Sequence, residues 1–267
     1  MFKNITLGQF FPGNSPLHKA DPRFKIIISL IYIISVFVCK SLYSYLFLVV
    51  ATVTIIAVSG IPLKLVFSGF KTILIIIVFT AIINVFFTKG EVLLFEFGII
   101  HIYREGLIYA AAMIVRLACL LSATGVLLSY TTSPIALTDG LESLLNPLKK
   151  INLPVHEFAM MMTIALRFIP TLIEETDKIT SAQKARGADF SRGGIITKAK
   201  ALVPILIPLF VSAFRRADEL ATAMECRGYR GGEGRTRMKI LRASAVDAVL
   251  LTAFTVMIAG IAALNYI

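Results

Sequence analysis

A chain of 267 residues that is 57% hydrophobic and only 16% charged, with a mean hydropathy of +0.82, is not an ordinary soluble domain. Its apolar residues come in runs near the roughly 20 that a bilayer crossing requires, which marks an integral membrane protein. The net charge of +11 does not indicate nucleic acid: no nucleic-acid-binding motif accompanies it, and 17 of the 27 Lys and Arg residues fall between Lys149 and Arg242, interleaved with acids.

In chain order, the first 23 residues are polar, and Pro12, Gly13, Asn14, Pro16 and Pro22 prevent a long helix there. No basic stretch leading into a short apolar core and a small-residue cleavage site opens the chain, so the first span is expected to be retained. Spans are expected at about Phe24–Lys40, Leu42–Gly60 and, after the break at Pro62, Leu65–Thr88. The apolar run Val92–Tyr103 centres on Gly98 and is too short to span, so it reads as a hairpin or an interfacial segment. A fourth span follows at Gly106–Tyr130.

From residue 131 to 241 charges recur every few residues while apolar positions keep helical spacing. Three helices are expected: Pro134–Leu148, Pro154–Arg186 and Ile195–Arg227. The last two have 33 residues each, about 50 Å if fully helical, with kinks expected at Pro170, Pro204 and Pro208. A fifth span covers about Ala243–Leu264.

The expected fold is therefore all-α and polytopic, with about five transmembrane helices plus a cytoplasmic unit of three helices. Its parts are a four-span membrane domain (residues 1–130), a charged helical domain (131–241) and a last transmembrane helix (242–267) packing with the membrane domain. Lys3, Lys19, Arg23, Lys25, Lys64, Lys71 and the large basic block alternate onto one side, against Lys40, Lys89 and Arg104 on the other. The bias of basic residues toward the cytoplasm then places the N-terminus inside and the C-terminus outside.

The most informative feature is a near-repeat. Ala182-Gln-Lys-Ala185-Arg186-Gly187 returns 41 positions later as Ala223-Met-Glu-Cys226-Arg227-Gly228, each closing one of the two long helices. The same offset matches Asp177 with Asp218 and Ile179 with Leu220. On a helix the residues four and seven before each arginine share its face, giving a small, apolar approach surface that ends in a guanidinium. Glycine then permits a left-handed stop. A single cation at a helix C-terminus merely complements the dipole, worth about 0.3–1 kcal/mol. Two with matched flanks and equal helix lengths point to paired docking points for a two-fold or pseudo-two-fold partner, with Arg supplying a forked donor.

These residues resemble the T component (EcfT/CbiQ type), the transmembrane scaffold of energy-coupling factor (ECF) transporters. Ala165-Leu-Arg-Phe-Ile-Pro170-Thr-Leu-Ile-Glu-Glu175 leading to Arg186-Gly187 is similar to that family's first signature. Arg215-Arg216 leading to Ala223-Met-Glu-Cys-Arg-Gly-Tyr229 is similar to the second, and the opening Gly13–Arg23 resembles its N-terminal stretch. Cys226 stands where the family pattern usually has Ala. The resemblance implies that Ala182, Ala185, Arg186, Gly187, Ala223, Cys226, Arg227 and Gly228 bind two cytoplasmic ABC-type ATPase subunits. It also implies that the coupling helices cradle a separate substrate-binding membrane subunit, the S component, for uptake of vitamins or transition-metal ions. No cofactor is then expected on this chain, since ATP is bound by the partners, and the chain is not expected to be an enzyme.

Other candidate sites are weak. Glu174-Glu175 resembles the start of an intramembrane protease motif but lacks the nearby Arg, so a solvated face with Glu174 paired to Lys178 is the simpler reading. His156-Glu157 would begin a zinc-protease helix, but Met160 stands at the position of the second His. With three histidines (His18, His101, His156) and three scattered cysteines (Cys39, Cys119, Cys226), a dedicated metal site is not expected. Gly228–Gly234 lacks a phosphate-loop pattern and reads as a linker. Arg116 falls within the fourth span, where pairing inside the bundle, with Asn84 as the candidate partner, outweighs a transport role. Met160-Met161-Met162 suits either an adaptable sliding surface or core packing. The alternatives to an energy-coupling scaffold are a conventional permease with its own substrate pathway, which needs polar span positions that are scarce here, and, more remotely, an intramembrane enzyme.

Overall fold

The computed structural model describes residues 10–97, 100–151, 153–188, 190, 194–232 and 241–265. The described residues form α1 (Pro16–Lys19), α2 (Pro22–Val38), α3 (Leu42–Ser59), α4 (Leu63–Phe87), a hairpin of β1 (Leu93–Phe97) and β2 (Ile100–Tyr103), α5 (Arg104–Thr124), α6 (Pro134–Leu145), α7 (Val155–Ala185), α8 (Ile195–Cys226) and α9 (Ala245–Leu264). A π-helical turn at Gly125–Tyr130 continues α5, and a 3₁₀ segment, Asn146–Ile151, follows α6. The all-α, polytopic membrane architecture expected from the sequence is what is found.

The chain divides into two compact units. One holds Gly8–Ser143 together with Leu241–Ile267, and the other holds Leu144–Ile240.

In the first unit, local signals set the helix ends. Asp21 caps α2 by accepting from the Arg23 amide, with Pro22 in the first turn. Gly60 ends α3 at φ 68°. Ser244 and Asp247 form a reciprocal capping box at the start of α9. Among its described residues the polar N-terminal stretch forms the four-residue α1, and it is pinned to the bundle where the Phe11 amide donates to the Tyr130 carbonyl (2.9 Å). The hairpin is antiparallel, pairing Leu93 with Tyr103 and Phe97 with Ile100; Gly98, on which the sequence reading centred it, lies outside the described residues.

This bundle is packed with small and polar residues inward. On α3 the buried positions are Ser44, Leu48, Thr52, Ile55 and Ser59, one helical face. Tyr32 is fully buried, its hydroxyl 2.6 Å from the Thr52 hydroxyl and its ring edge-on to Phe254. At the far end of α9, Asn265 accepts from the Lys40 and Ser41 amides and donates to the Val38 carbonyl, closing the α2–α3 turn. Large apolar side chains point outward instead: Leu42, Ile75 and Phe87 are 76–81% exposed. An apolar exterior around a hydrogen-bonded interior suits a lipid solvent, because polar groups must be satisfied inside the bundle.

Among the described residues four helical segments are long and apolar enough to cross a membrane: Leu42–Ser59, Arg104–Tyr130, Val155–Ala185 and Ala245–Leu264. A fifth is added if Leu63–Phe70 and Ile73–Phe87, bent by 60°, form one broken span. The first expected span is the 17-residue α2, about 26 Å long. α7 joins the set with a mean hydropathy of 1.2 against 2.1 for the other unbroken segments, so it is the least apolar of them.

Candidate functional site

In the second unit, α7 and α8 have 31 and 32 residues and run as single helices through Pro170 and through Pro204 and Pro208. Both close with the same motif. At the end of α7, Arg186 is the C-cap, the Gly187 amide donates to the Lys184 carbonyl (3.0 Å) and the Ala188 amide to the Gln183 carbonyl (3.0 Å). At the end of α8, Arg227 is the C-cap, Gly228 donates to Glu225 (2.9 Å) and Tyr229 to Met224 (3.0 Å). These are paired Schellman caps, and Gly187 and Gly228 take the left-handed conformation they need, at φ 90° and 72°.

The eight residues singled out by the near-repeat therefore occupy equivalent positions: Ala182, Ala185, Ala223 and Cys226 in the last helical turns, Arg186 and Arg227 as caps, Gly187 and Gly228 just beyond. All eight are exposed. Among the described residues no side chain engages either guanidinium. Each arginine is thus a forked donor presented at a helix tip beside small side chains, a shape that can enter a groove and meet carboxylates or carbonyls there.

The two tips face away from each other. Glu175 of α7 meets Ser212 and Arg216 of α8, while the Gln183 amide reaches the Pro204 carbonyl (3.5 Å), so the partner position falls as α7 advances. At the other end, Gly232, beyond the α8 cap, packs against the His156 ring at the start of α7. The helices are antiparallel, with an arginine tip at each end of the pair. The first part of the glycine-rich stretch after Gly228 hence lies against α7; residues 233 and 234 lie outside the described residues.

Several other expectations are revised. Glu175 is not a bare surface carboxylate: Arg216 Nη2 donates to its Oε2 at 2.6 Å and Ser212 donates to Oε1. Sequence spacing alone gives no reason to join these residues, although Arg216 belongs to the stretch that resembles the second signature. Arg116 pairs inside the first unit, but not with Asn84, whose amide donates to the Thr80 carbonyl. Arg116 donates to the Tyr45 hydroxyl and, at 3.1 Å, to the carbonyl of Cys39, the α2 C-cap, and it lies over the Tyr45 ring. It satisfies a helix-end carbonyl and stacks on an aromatic face, an adequate structural role at membrane depth. Among the described residues no three His, Cys, Asp or Glu side chains gather as metal ligands.

Comparison with known proteins decides the family. The CbiQ family model, described as a cobalt transport protein, matches residues 13–239. The chain belongs to the CbiQ family. An energy-coupling factor transporter transmembrane protein EcfT of Ruminiclostridium cellulolyticum is 57% identical over 256 residues, covering 96% of this chain and 95% of its own. Proteins of the same name from Clostridium kluyveri (57% over 250 residues, 93% and 92%) and Bacillus subtilis (43% over 259 residues, 97% of each) are similar along nearly their whole length. This CbiQ-family chain is accordingly a transmembrane component of an energy-coupling factor transporter and not an enzyme.

Proposed function

We propose that this chain is the energy-coupling scaffold of an ABC-type importer in a prokaryotic cell membrane. Arg186 and Arg227 each enter a groove on one of two cytoplasmic ATPase subunits, with Ala182, Ala185, Gly187, Ala223, Cys226 and Gly228 allowing the close approach. ATP-driven closure of the ATPases moves the tips, and α7 and α8 pass that motion to a separate membrane subunit that binds the substrate. The observation that carries the reading is the pair of identically capped, exposed arginine tips at opposite ends of one antiparallel helix pair. A single small ligand cannot use two sites so disposed, whereas an ATPase dimer offers two copies of one groove.

In this reading α7 is a cytoplasmic arm rather than a span, because Glu174, Glu175, Asp177, Lys178 and Lys184 crowd its second half. The substrate is a vitamin or a transition-metal ion, the second supported by the description of the matching family as cobalt transport proteins. The N-terminus and the arginine tips are cytoplasmic and the C-terminus is outside. Cys226, exposed beside Arg227, reports this: in cells expressing this chain without the ATPases, a membrane-impermeant thiol reagent should label it in inverted vesicles and not in intact cells.

The deciding experiment is capture of the complex in mild detergent. The native chain should retain two ATPase subunits and one small membrane subunit. Arg186→Ala with Arg227→Ala should release both ATPases, and either single change should weaken one side. Unchanged stoichiometry in the double variant overturns the reading.

A further inference from the structure

The offset of 41 that superimposes the two arginine tips also maps Thr171 onto Ser212, Leu172 onto Ala213 and Glu175 onto Arg216. Two of these three pairs meet in space. Arg216 donates to Glu175 at 2.6 Å, Ser212 donates to the other oxygen of the same carboxylate, and Leu172 and Ala213 line one small cavity with Phe168 and Arg216. Elements related by a two-fold operation touch their own counterparts only where the axis passes. The antiparallel arms α7 and α8 therefore cross on a local pseudo-two-fold axis, and Glu175 and Arg216 sit beside it.

That location has an electrostatic consequence. Along the arms the repeat keeps Asp177 with Asp218 and Arg186 with Arg227, and pairs opposite charges at Glu174 with Arg215, Lys178 with Glu219 and Lys184 with Glu225. At the axis the matched residues face each other, and two identical charges a few ångströms apart would drive the arms apart. Here the repeat sets opposite charges, a carboxylate in one arm and a guanidinium in the other. Each tip arginine lies 11 residues beyond its own axis residue, about 16 Å along the helix, so the axis also sets equal arm lengths.

We propose that Glu175 and Arg216 are positioning residues that hold α7 and α8 in a single register about this axis and so keep the two arginine tips equidistant from it. The functional meaning rests on the docking role given to the tips above; the register itself belongs to this chain alone. A slip of one residue moves an arm by about 1.5 Å and turns its tip by about 100°, enough to take one arginine out of line with its groove. The charged pair opposes such a slip because only one register brings the carboxylate to both Ser212 and Arg216. This is specification of geometry by a polar contact rather than added stability.

The test uses the full chain in lipid nanodiscs, with spin labels at Lys184→Cys and Glu225→Cys in a Cys226→Ser background. Both labelled positions are exposed and are related by the same offset, while Cys39 and Cys119 are buried. Pulsed electron–electron resonance should give one narrow tip-to-tip distance. Glu175→Arg or Arg216→Glu alone should broaden or split it, Glu175→Gln should do so more mildly, and the swap Glu175→Arg with Arg216→Glu should restore it. A distribution that stays narrow in the single-charge variants, or a swap that fails to restore it, overturns the proposal. ATPase capture with the same Glu175 and Arg216 changes, made in the otherwise native unlabelled chain, separates the two readings. Broadened distances with native ATPase stoichiometry sustain the register proposal and count against docking at the tips. Unchanged distances with lost ATPases refute the register role and leave docking intact.

Discussion

Asp21 shows how much one side chain holds at the polar end of the first unit. It is buried, its carboxylate takes the Arg23 amide (3.0 Å) and guanidinium (2.8 Å), and its own amide donates to Asp247 (2.8 Å). Burial works to raise the Asp21 pKa, but the hydrogen bonds and charge of Arg23, with a contribution from Lys25, outweigh it and hold the carboxyl below its usual range. A carboxyl depressed in the folded state stabilises fully above the ordinary range and loses that contribution as pH falls through its folded value. The thermal midpoint, followed by circular dichroism, should therefore drop as pH falls below about 4. Asp21→Asn should start lower at neutral pH and show a smaller part of that drop; an identical acid profile in the variant would contradict this account. Neighbouring Lys25 is 2% exposed and is matched by the Thr131 carbonyl (2.9 Å) and the Thr132 hydroxyl (3.1 Å). Its charge was legible in the sequence as orientation evidence, yet its burial was not, because both acceptors lie more than 100 residues away in the chain.

At the scale of the element, the helix ends were the most legible parts. Gly187 and Gly228 were expected to permit left-handed stops, and both do so with open space around the missing Cβ. Substitution there consequently tests backbone strain alone. Gly187→Ala or Gly228→Ala should cost about 1–2 kcal/mol locally. It should speed hydrogen exchange at the Ala188 or Tyr229 amide, whose bonds close the caps, while the spans keep native protection; unaltered exchange at these amides would show that the cap does not need glycine. The hairpin after α4 was equally readable, since an apolar run around one glycine is too short to cross. The π-helical turn at Gly125–Tyr130 and the 60° bend in α4 were not. Neither segment contains a proline, and the Tyr130 hydroxyl donates to the Leu65 carbonyl (3.2 Å), joining the end of the π-turn to the start of α4.

At the scale of the whole molecule, the last span is tied to the first by a buried carboxylate. Asp247 is 1% exposed and accepts from the Asp21 amide (2.8 Å) and the Ser244 amide (2.7 Å). Asp247→Ala leaves both donors without that acceptor, which should cost about 3 kcal/mol. SDS titration of the purified chain should show an earlier unfolding midpoint, with Asp247→Asn intermediate; equal midpoints for the native chain and Asp247→Ala would remove Asp247 from this role.

The membrane class, the extent of the long helices, their glycine stops and the doubled arginine ends were all present in the one-dimensional pattern, because each depends on residues within a few turns of one another. That Arg116 serves Cys39 and Tyr45 rather than Asn84, that Asp247 anchors residue 21, and that Glu175 meets Arg216 on a pseudo-two-fold axis came only with the folded chain. These contacts join positions 41 to 226 residues apart. No periodicity carries such pairings, since they are decided by which helix faces pack once the lipid-facing and inward surfaces have been sorted.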